Sequence, residues 1–148
     1  MAIQQDFKEL LELFSKHRVE YMIVGGYALA FHGAPRYTGD MDIYVKPDAK
    51  NARRIIAALD DFGFRIVGLA ISDFEIPDRV IQLGVPPVRI DIITSLTGVT
   101  WEEAFSGRQA GKYGDIDVYF IGREHFIANK KALGRKRDLA DLELLGEN

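Results

Sequence analysis

The chain has 148 residues, 47% apolar, 28% charged and 11% aromatic, and a chain of this length and composition buries roughly 70% of its unfolded surface, which predicts a compact soluble domain and excludes disorder. It has no cysteine and three histidines, so disulfides, thiolate metal sites and cysteine nucleophiles are excluded and zinc chemistry is disfavoured. Nineteen basic against 22 acidic side chains leave a net charge of −3, which argues against a general cationic coat for nucleic acid. One exception is local: Lys130, Lys131, Arg135, Lys136 and Arg137 crowd residues 130–137 with no acid among them.

Uncharged stretches such as 21–35 contain Gly, His and Pro and fall short of the ~20 apolar residues of a bilayer span. The first residues show no basic-then-apolar leader pattern, so no membrane association and a cytoplasmic location are expected. No repeat or Pro/Gly/Ser-rich linker divides the sequence, and one domain over residues 1–148 is expected.

Phe7, Leu10, Leu11 and Phe14 have i, i+3, i+4, i+7 spacing and predict an amphipathic helix over 6–17, with Asp6 as N-cap and Glu9 closing a capping box. Tyr21–Val24 is a short apolar strand. Gly25-Gly26 makes a turn, and 27–31 are a short helix stopped by Gly33 and Pro35. Residues 39–45 alternate strictly, with Met41, Ile43 and Val45 on one face and Asp40, Asp42 and Tyr44 on the other, which is a half-buried strand. Asp48 caps a helix that ends before Gly63. Segments 64–67, 80–83 and 88–93 are strands, Thr100–Glu103 is a capping box opening a short helix, 116–121 is another alternating strand, and helices over about 123–133 and 138–145 follow. The order predicts an α/β fold in the broad sense that includes α+β, a mixed sheet with helices packed against it.

Chemistry concentrates between Val24 and Asp42. Two carboxylates two apart on a strand point to the same side with Cα atoms about 6.5–7 Å apart, so their oxygens can converge on cations. A second such pair, Asp115-Ile-Asp117, sits at a turn-to-strand boundary and is read as solvated. Asp40 and Asp42 differ by what precedes them: a strand, two glycines, a short helix, Arg36 and Thr38. Glycines let backbone N–H groups approach an anion, and a following helix start adds partial positive charge, which suits a triphosphate; the plainer account is a tight turn that needs positive φ. Asp91, with Arg89 and Ile93 on the polar face of 88–93, is a third carboxylate within an apolar strand. If that strand pairs beside 40–42, the three acids share one cluster at a strand spacing of about 4.8 Å. Two bare carboxylates ~4 Å apart repel by about 4 kcal/mol at an effective dielectric of 20, and Mg²⁺ would relieve this; a salt bridge to Arg89 is the alternative account of Asp91. His32 and His125 are read as packing or surface groups, Trp101 as a packing anchor, and Tyr44 as a half-exposed strand residue.

Gly25-Gly26, Asp40-x-Asp42 and Asp91 on a later strand resemble the signature of the DNA polymerase β-like nucleotidyltransferase superfamily. Arg36-x-Thr38-x-Asp40-x-Asp42 with Lys130-Lys-Ala-x-x-Arg135-x-x-Asp138-x-x-Asp141 is similar to the minimal AbiEii-type enzymes, many of them toxins of toxin–antitoxin pairs. The resemblance implies Mg²⁺ (or Mn²⁺) held by Asp40, Asp42 and Asp91 and an NTP as substrate. Gly25, Gly26, Arg36, Thr38, Lys130, Arg135 and Asp138 would then bind the nucleotide. It also implies transfer of a nucleoside monophosphate to an acceptor hydroxyl, with RNA such as tRNA favoured over a protein or small molecule. A cognate toxin or antitoxin partner and a homodimer are consistent with it. On residues alone Asp138 is equally an N-cap. A nucleotide-binding or antitoxin-like protein without turnover is the principal alternative, and a metal-dependent nuclease, which needs no triphosphate cradle, is the third.

Overall fold

In the computed structural model, residues 3–36, 38–63, 68–85 and 88–147 are described. Helix α1 (Gln5–Lys16) forms where the apolar spacing placed it, burying Phe7, Leu10, Leu11 and Phe14, each contributing about 1.5–3 kcal/mol. Its N-cap is Gln4, without a side-chain cap bond, so the Asp6–Glu9 box does not form. Strand β1 (Tyr21–Val24) is buried at every position, as expected of a central strand. Helix α2 (Gly25–Phe31) starts on Gly25 itself: the two glycines belong to the helix's first turn and do not precede it. Strand β2 (Asp40–Val45) follows. Helix α3 (Ala49–Phe62) is capped by the Asp48 carboxylate, which accepts from the Asn51 amide, and ends at Gly63 with φ 103°.

Helix α4 (Ile71–Glu75) and strand β5 (Gln109–Tyr113) were not anticipated. The first is a single turn that drops Phe74 into the core. The second carries no apolar alternation and is a strand because it pairs antiparallel with β6 (Ile116–Phe120) along its length. Strands β3 (Val80–Val85) and β4 (Val88–Ile93) form an antiparallel pair. Helix α5 (Trp101–Ser106) opens with the expected box, in which Thr100 and Glu103 bond each other's amides. Helix α6 (Arg123–Leu133) ends at Gly134, and α7 (Lys136–Leu144) begins earlier than expected, with Arg135 as its N-cap. The strand expected over 64–67 lies outside the described residues.

The six strands form one mixed sheet in the order β3-β4-β2-β1-β6-β5. β2 runs antiparallel to β1 and parallel to β4, and β1 is parallel to β6. Alternation then divides the sheet. Ile23, Met41, Ile43, Val45, Ile90 and Ile92 belong to one face, and all are buried with the apolar stripes of α1 and α3 in a continuous core. Val24, Asp42 and Asp91 lie side by side on the other face through the register Val24↔Asp42 and Asp42↔Asp91. Further along it, Tyr44 is buried and meets Trp101 edge-on at 5.0 Å, and Trp101 stacks on Phe105. Trp101 is thus the packing anchor expected, whereas Tyr44 is not half-exposed but capped by that ring. Among the described residues no helix is long and apolar enough to cross a membrane.

Candidate active site

The second face of the sheet opens into a cleft of about 770 Å³ walled by the β1–α2 junction, the segment before β2, the acidic ends of β2 and β4, residues 95–97, and helices α6 and α7. Its volume lies in the range of sites for small organic ligands. Of the residues singled out in the sequence, Gly25, Gly26, Arg36, Thr38, Asp40, Asp42, Asp91, Lys130 and Arg135 line it.

The parallel pairing of β2 with β4 sets Asp42 directly opposite Asp91 and Asp40 opposite Arg89. Asp42 and Asp91 thus face each other across the strand pair. Burial, then the charges of Asp91 and Asp40, push the Asp42 carboxyl up to about 7, and Lys130 only partly offsets them. Asp91 is 8% exposed, and both its oxygens take hydrogen bonds from Arg89, Nε at 3.0 Å and a terminal nitrogen at 3.0 Å. The same guanidinium stands 3.6 Å from Asp40. Asp91 therefore has the arginine partner that was the alternative account of it, and it also stands beside the other two acids. Among the described residues no three acidic or imidazole side chains already converge on one cation position, because Asp40 and Asp91 are turned toward Arg89.

The glycines have a packing role that spacing could not reveal. Gly25 adopts φ 68°, and a Cβ there would run into the Asp42 carboxylate; a Cβ on Gly26 would come within 2.5 Å of the Thr38 hydroxyl. Side-chain-free positions thus allow the strand that bears the acids, and the segment before it, to close against the start of α2. Thr38 donates its hydroxyl to the Asp40 carbonyl at 3.3 Å, holding that segment at the strand's mouth.

Cations gather on the opposite wall. Lys130 is 8% exposed, and its Nζ lies 3.3 Å from Asp138 and 3.2 Å from Asp141. Arg36 grips Asp141 through two bonds of 2.7 and 3.1 Å, and Arg135 grips Asp138 at 2.6 and 3.2 Å. Asp138 is fully buried and is the third residue of α7, where it also accepts from the Arg135 amide, so it is not the N-cap. It does not line the cleft and meets it only through Lys130 and Arg135. Burial works against its charge, but Arg135 and Lys130 outweigh it and hold the carboxyl down at about 2. Asp141, buried as well, is kept below the ordinary carboxylate range by Arg36 and Lys130. Lys131, Lys136 and Arg137 are exposed around this wall and make no ion pair among the described residues.

The remaining candidates stay apart. Asp115 and Asp117 have side chains 79% and 88% exposed and pair with Lys8 and Lys112 at the surface, as expected of solvated acids. His32 bonds the Ile121 carbonyl at 2.8 Å, a packing role. Sequence reasoning named Arg89 as a salt-bridge partner of Asp91 but did not foresee that it also faces Asp40 and lines the cleft.

No family model and no curated protein sequence matches the chain. Solved structures do. A candidate nucleotidyltransferase from Thermotoga maritima, TM1012, superposes with a TM-score of 0.61 at 11% identity over 93% of this chain and 88% of that one. The lincosamide antibiotic adenylyltransferase LnuA, solved with lincomycin, gives 0.57 at 15% identity over 99% and 98%. The antibiotic-resistance factor ANT(2'')-Ia gives 0.59 at 13% identity over 95% and 80%. The chain therefore has the nucleotidyltransferase fold of these structures, a six-stranded mixed sheet flanked by helices.

Proposed function

We propose that the chain is a divalent-cation-dependent nucleotidyltransferase that moves a nucleoside monophosphate from an NTP to an acceptor hydroxyl. The observation that carries this reading is the register that sets Asp42 beside Asp91, with Asp40 on the same face, across a cleft from Lys130 and Arg36. The donor set suits the cation: carboxylate oxygens alone, with no sulfur, favour a hard ion such as Mg²⁺ or Mn²⁺. Asp40, Asp42 and Asp91 would hold the cations. When bound, such ions neutralise charge on the attacking and leaving oxygens of an in-line displacement.

The chain's own groups supply the rest. Lys130, fixed by two buried carboxylates, and Arg36 present positive charge where a triphosphate would lie, with Gly25, Gly26 and Thr38 leaving room beside it and Arg135 at the rim. Asp91 would take the proton of the acceptor hydroxyl as its oxygen bonds the α-phosphorus and the bond to the pyrophosphate oxygen breaks. Asp138 contributes by orienting Lys130 and Arg135 and does not touch the nucleotide.

For the acceptor we favour RNA, drawn by Arg137, which lines the cleft, and by the exposed Lys131 and Lys136 close to it in sequence. A small hydroxylated molecule is the second reading, supported by LnuA, a lincosamide antibiotic adenylyltransferase, among the structures of like fold. A toxin–antitoxin role, with a cognate protein or a second copy completing the acceptor side, rests on the AbiEii-like motifs alone. The test is label transfer from each of the four α-phosphate-labelled NTPs with Mg²⁺ into RNA, protein and an antibiotic panel. Label that appears with wild type and vanishes with Asp42→Asn is expected. NTP-induced thermal stabilisation with no transfer to any acceptor would instead favour a purely nucleotide-binding protein.

A further inference from the structure

We propose that Arg89 is a resident counter-ion of the acidic strands, which a divalent cation has to displace from Asp91, so that this arginine sets the cation concentration at which the site loads. The inference rests on the nucleotidyltransferase reading and concerns a residue that reading leaves without a role. Strand geometry puts Arg89 and Asp91 two residues apart on one face of β4, and the register puts Arg89 abreast of Asp40 on β2. The guanidinium fork meets both oxygens of Asp91 at 3.0 Å and also faces Asp40 at 3.6 Å. A fork seated in this way covers the outer edge of the carboxylate, the edge on which a cation would chelate.

Arginine does not lose its charge at any ordinary pH, so the contact is broken only by rotation of the side chain. That rotation is open to it, because the Arg89 side chain is 31% exposed at the cleft mouth and its charge can move into water. Asp42, the inner acid, receives no bond from Arg89, whose partners are Asp91 and Asp40. The arginine therefore sets one positive charge against two acids, which eases their repulsion and lets the strands lie side by side without metal, and it leaves net negative charge at the site to attract the ion. Arg89 is thus a positioning residue that acts through Asp91.

The experiment titrates Mn²⁺ alone into the full chain and follows free Mn²⁺ by electron paramagnetic resonance, for wild type, Arg89→Met, Arg89→Gln and Arg89→Lys. Thermal melts in EDTA are run on each. Loss of the competing ion pair is expected to lower the Mn²⁺ midpoint of the Met and Gln variants about fivefold and to lower their melting temperature in EDTA, with Lys between. If the Met variant does not fold, the Gln and Lys variants carry the comparison. Equal or weaker Mn²⁺ binding by these variants overturns the role given to Arg89 while leaving the site intact. Absence of Mn²⁺ binding by wild type, even with ATP present, removes the nucleotidyltransferase reading and this inference with it.

Discussion

Replacing Asp42 by Asn should stabilise the metal-free protein while abolishing transfer. In the folded chain Asp42 is buried next to Asp91 and Asp40, and its carboxyl is pushed from 3.8 up to about 7. The unfolded chain ionises it near 3.8, so between about pH 4 and 7 the folded state binds a proton that the unfolded state has lost. Stability from this group is therefore present in acid and falls as pH rises through that window. A shift of about 3 units corresponds to about 4 kcal/mol at most. Water at the cleft edge and relaxation of neighbouring side chains reduce this, and a gain of about 2 kcal/mol for Asn is expected above pH 7.5. The amide has nearly the shape of the acid and carries no charge. Urea unfolding of wild type and Asp42→Asn in EDTA at pH 4 and pH 8 measures it: the gap should be small at the lower pH and full at the higher, or roughly 4–8 °C in melting temperature. A variant no more stable than wild type at pH 8, or a gap that ignores pH, would refute the argument that burial and the neighbouring acids disfavour the charge of Asp42.

Gly25→Ala should destabilise by about 1–3 kcal/mol and remove transfer, since the new methyl meets the Asp42 carboxylate at a backbone angle of φ 68°; chemical denaturation and the label assay check both effects. Lys130→Met leaves Asp138 and Asp141 buried without their shared ammonium and is expected to lose about 2–4 kcal/mol, together with NTP-induced thermal stabilisation. Asp138 and Asp141 have depressed pKa values, so their contribution is present above the ordinary carboxylate range and is lost as pH falls below it, for Asp138 toward about 2. Acid unfolding should accordingly begin below pH 4 in wild type and at higher pH in Asp141→Asn, followed by circular dichroism.

The elements around the site were largely legible because alternation and helical spacing are local signals. The strand 40–45 and the face bearing Asp40 and Asp42 follow from side chains pointing alternately up and down, and 88–93 was read to its exact bounds. Register was not legible. Nothing local states that Asp91 falls opposite Asp42, since that depends on two strands separated by α3, α4 and β3. Element starts were displaced where chemistry competes: the glycines proved to be the first residues of α2, and Arg135 caps α7 while Asp138 lies inside it. The polar β5 is a strand only because β6 lies beside it across a tight turn, and α4 is too short for its single buried Phe74 to establish a period. The spacing of Lys130, Asp138 and Asp141 was visible in the sequence, but their burial as one network with Arg36 required the fold.

That network joins Arg36 to Asp141 across 105 residues of chain, and this separation has a bearing on when the protein becomes competent during its synthesis. By the time β4 has emerged from the ribosome, all three acids of the sheet have been made. The wall that would hold a triphosphate comes later, because Lys130 lies on α6 and both carboxylates that fix it lie on α7. A nascent chain lacking α7 can form the acidic half of the cleft, yet Lys130 would have no buried carboxylates to hold it in place. The cleft is complete only once α7 has been translated, so nucleotide binding should switch on abruptly at that point instead of accumulating as the sheet grows.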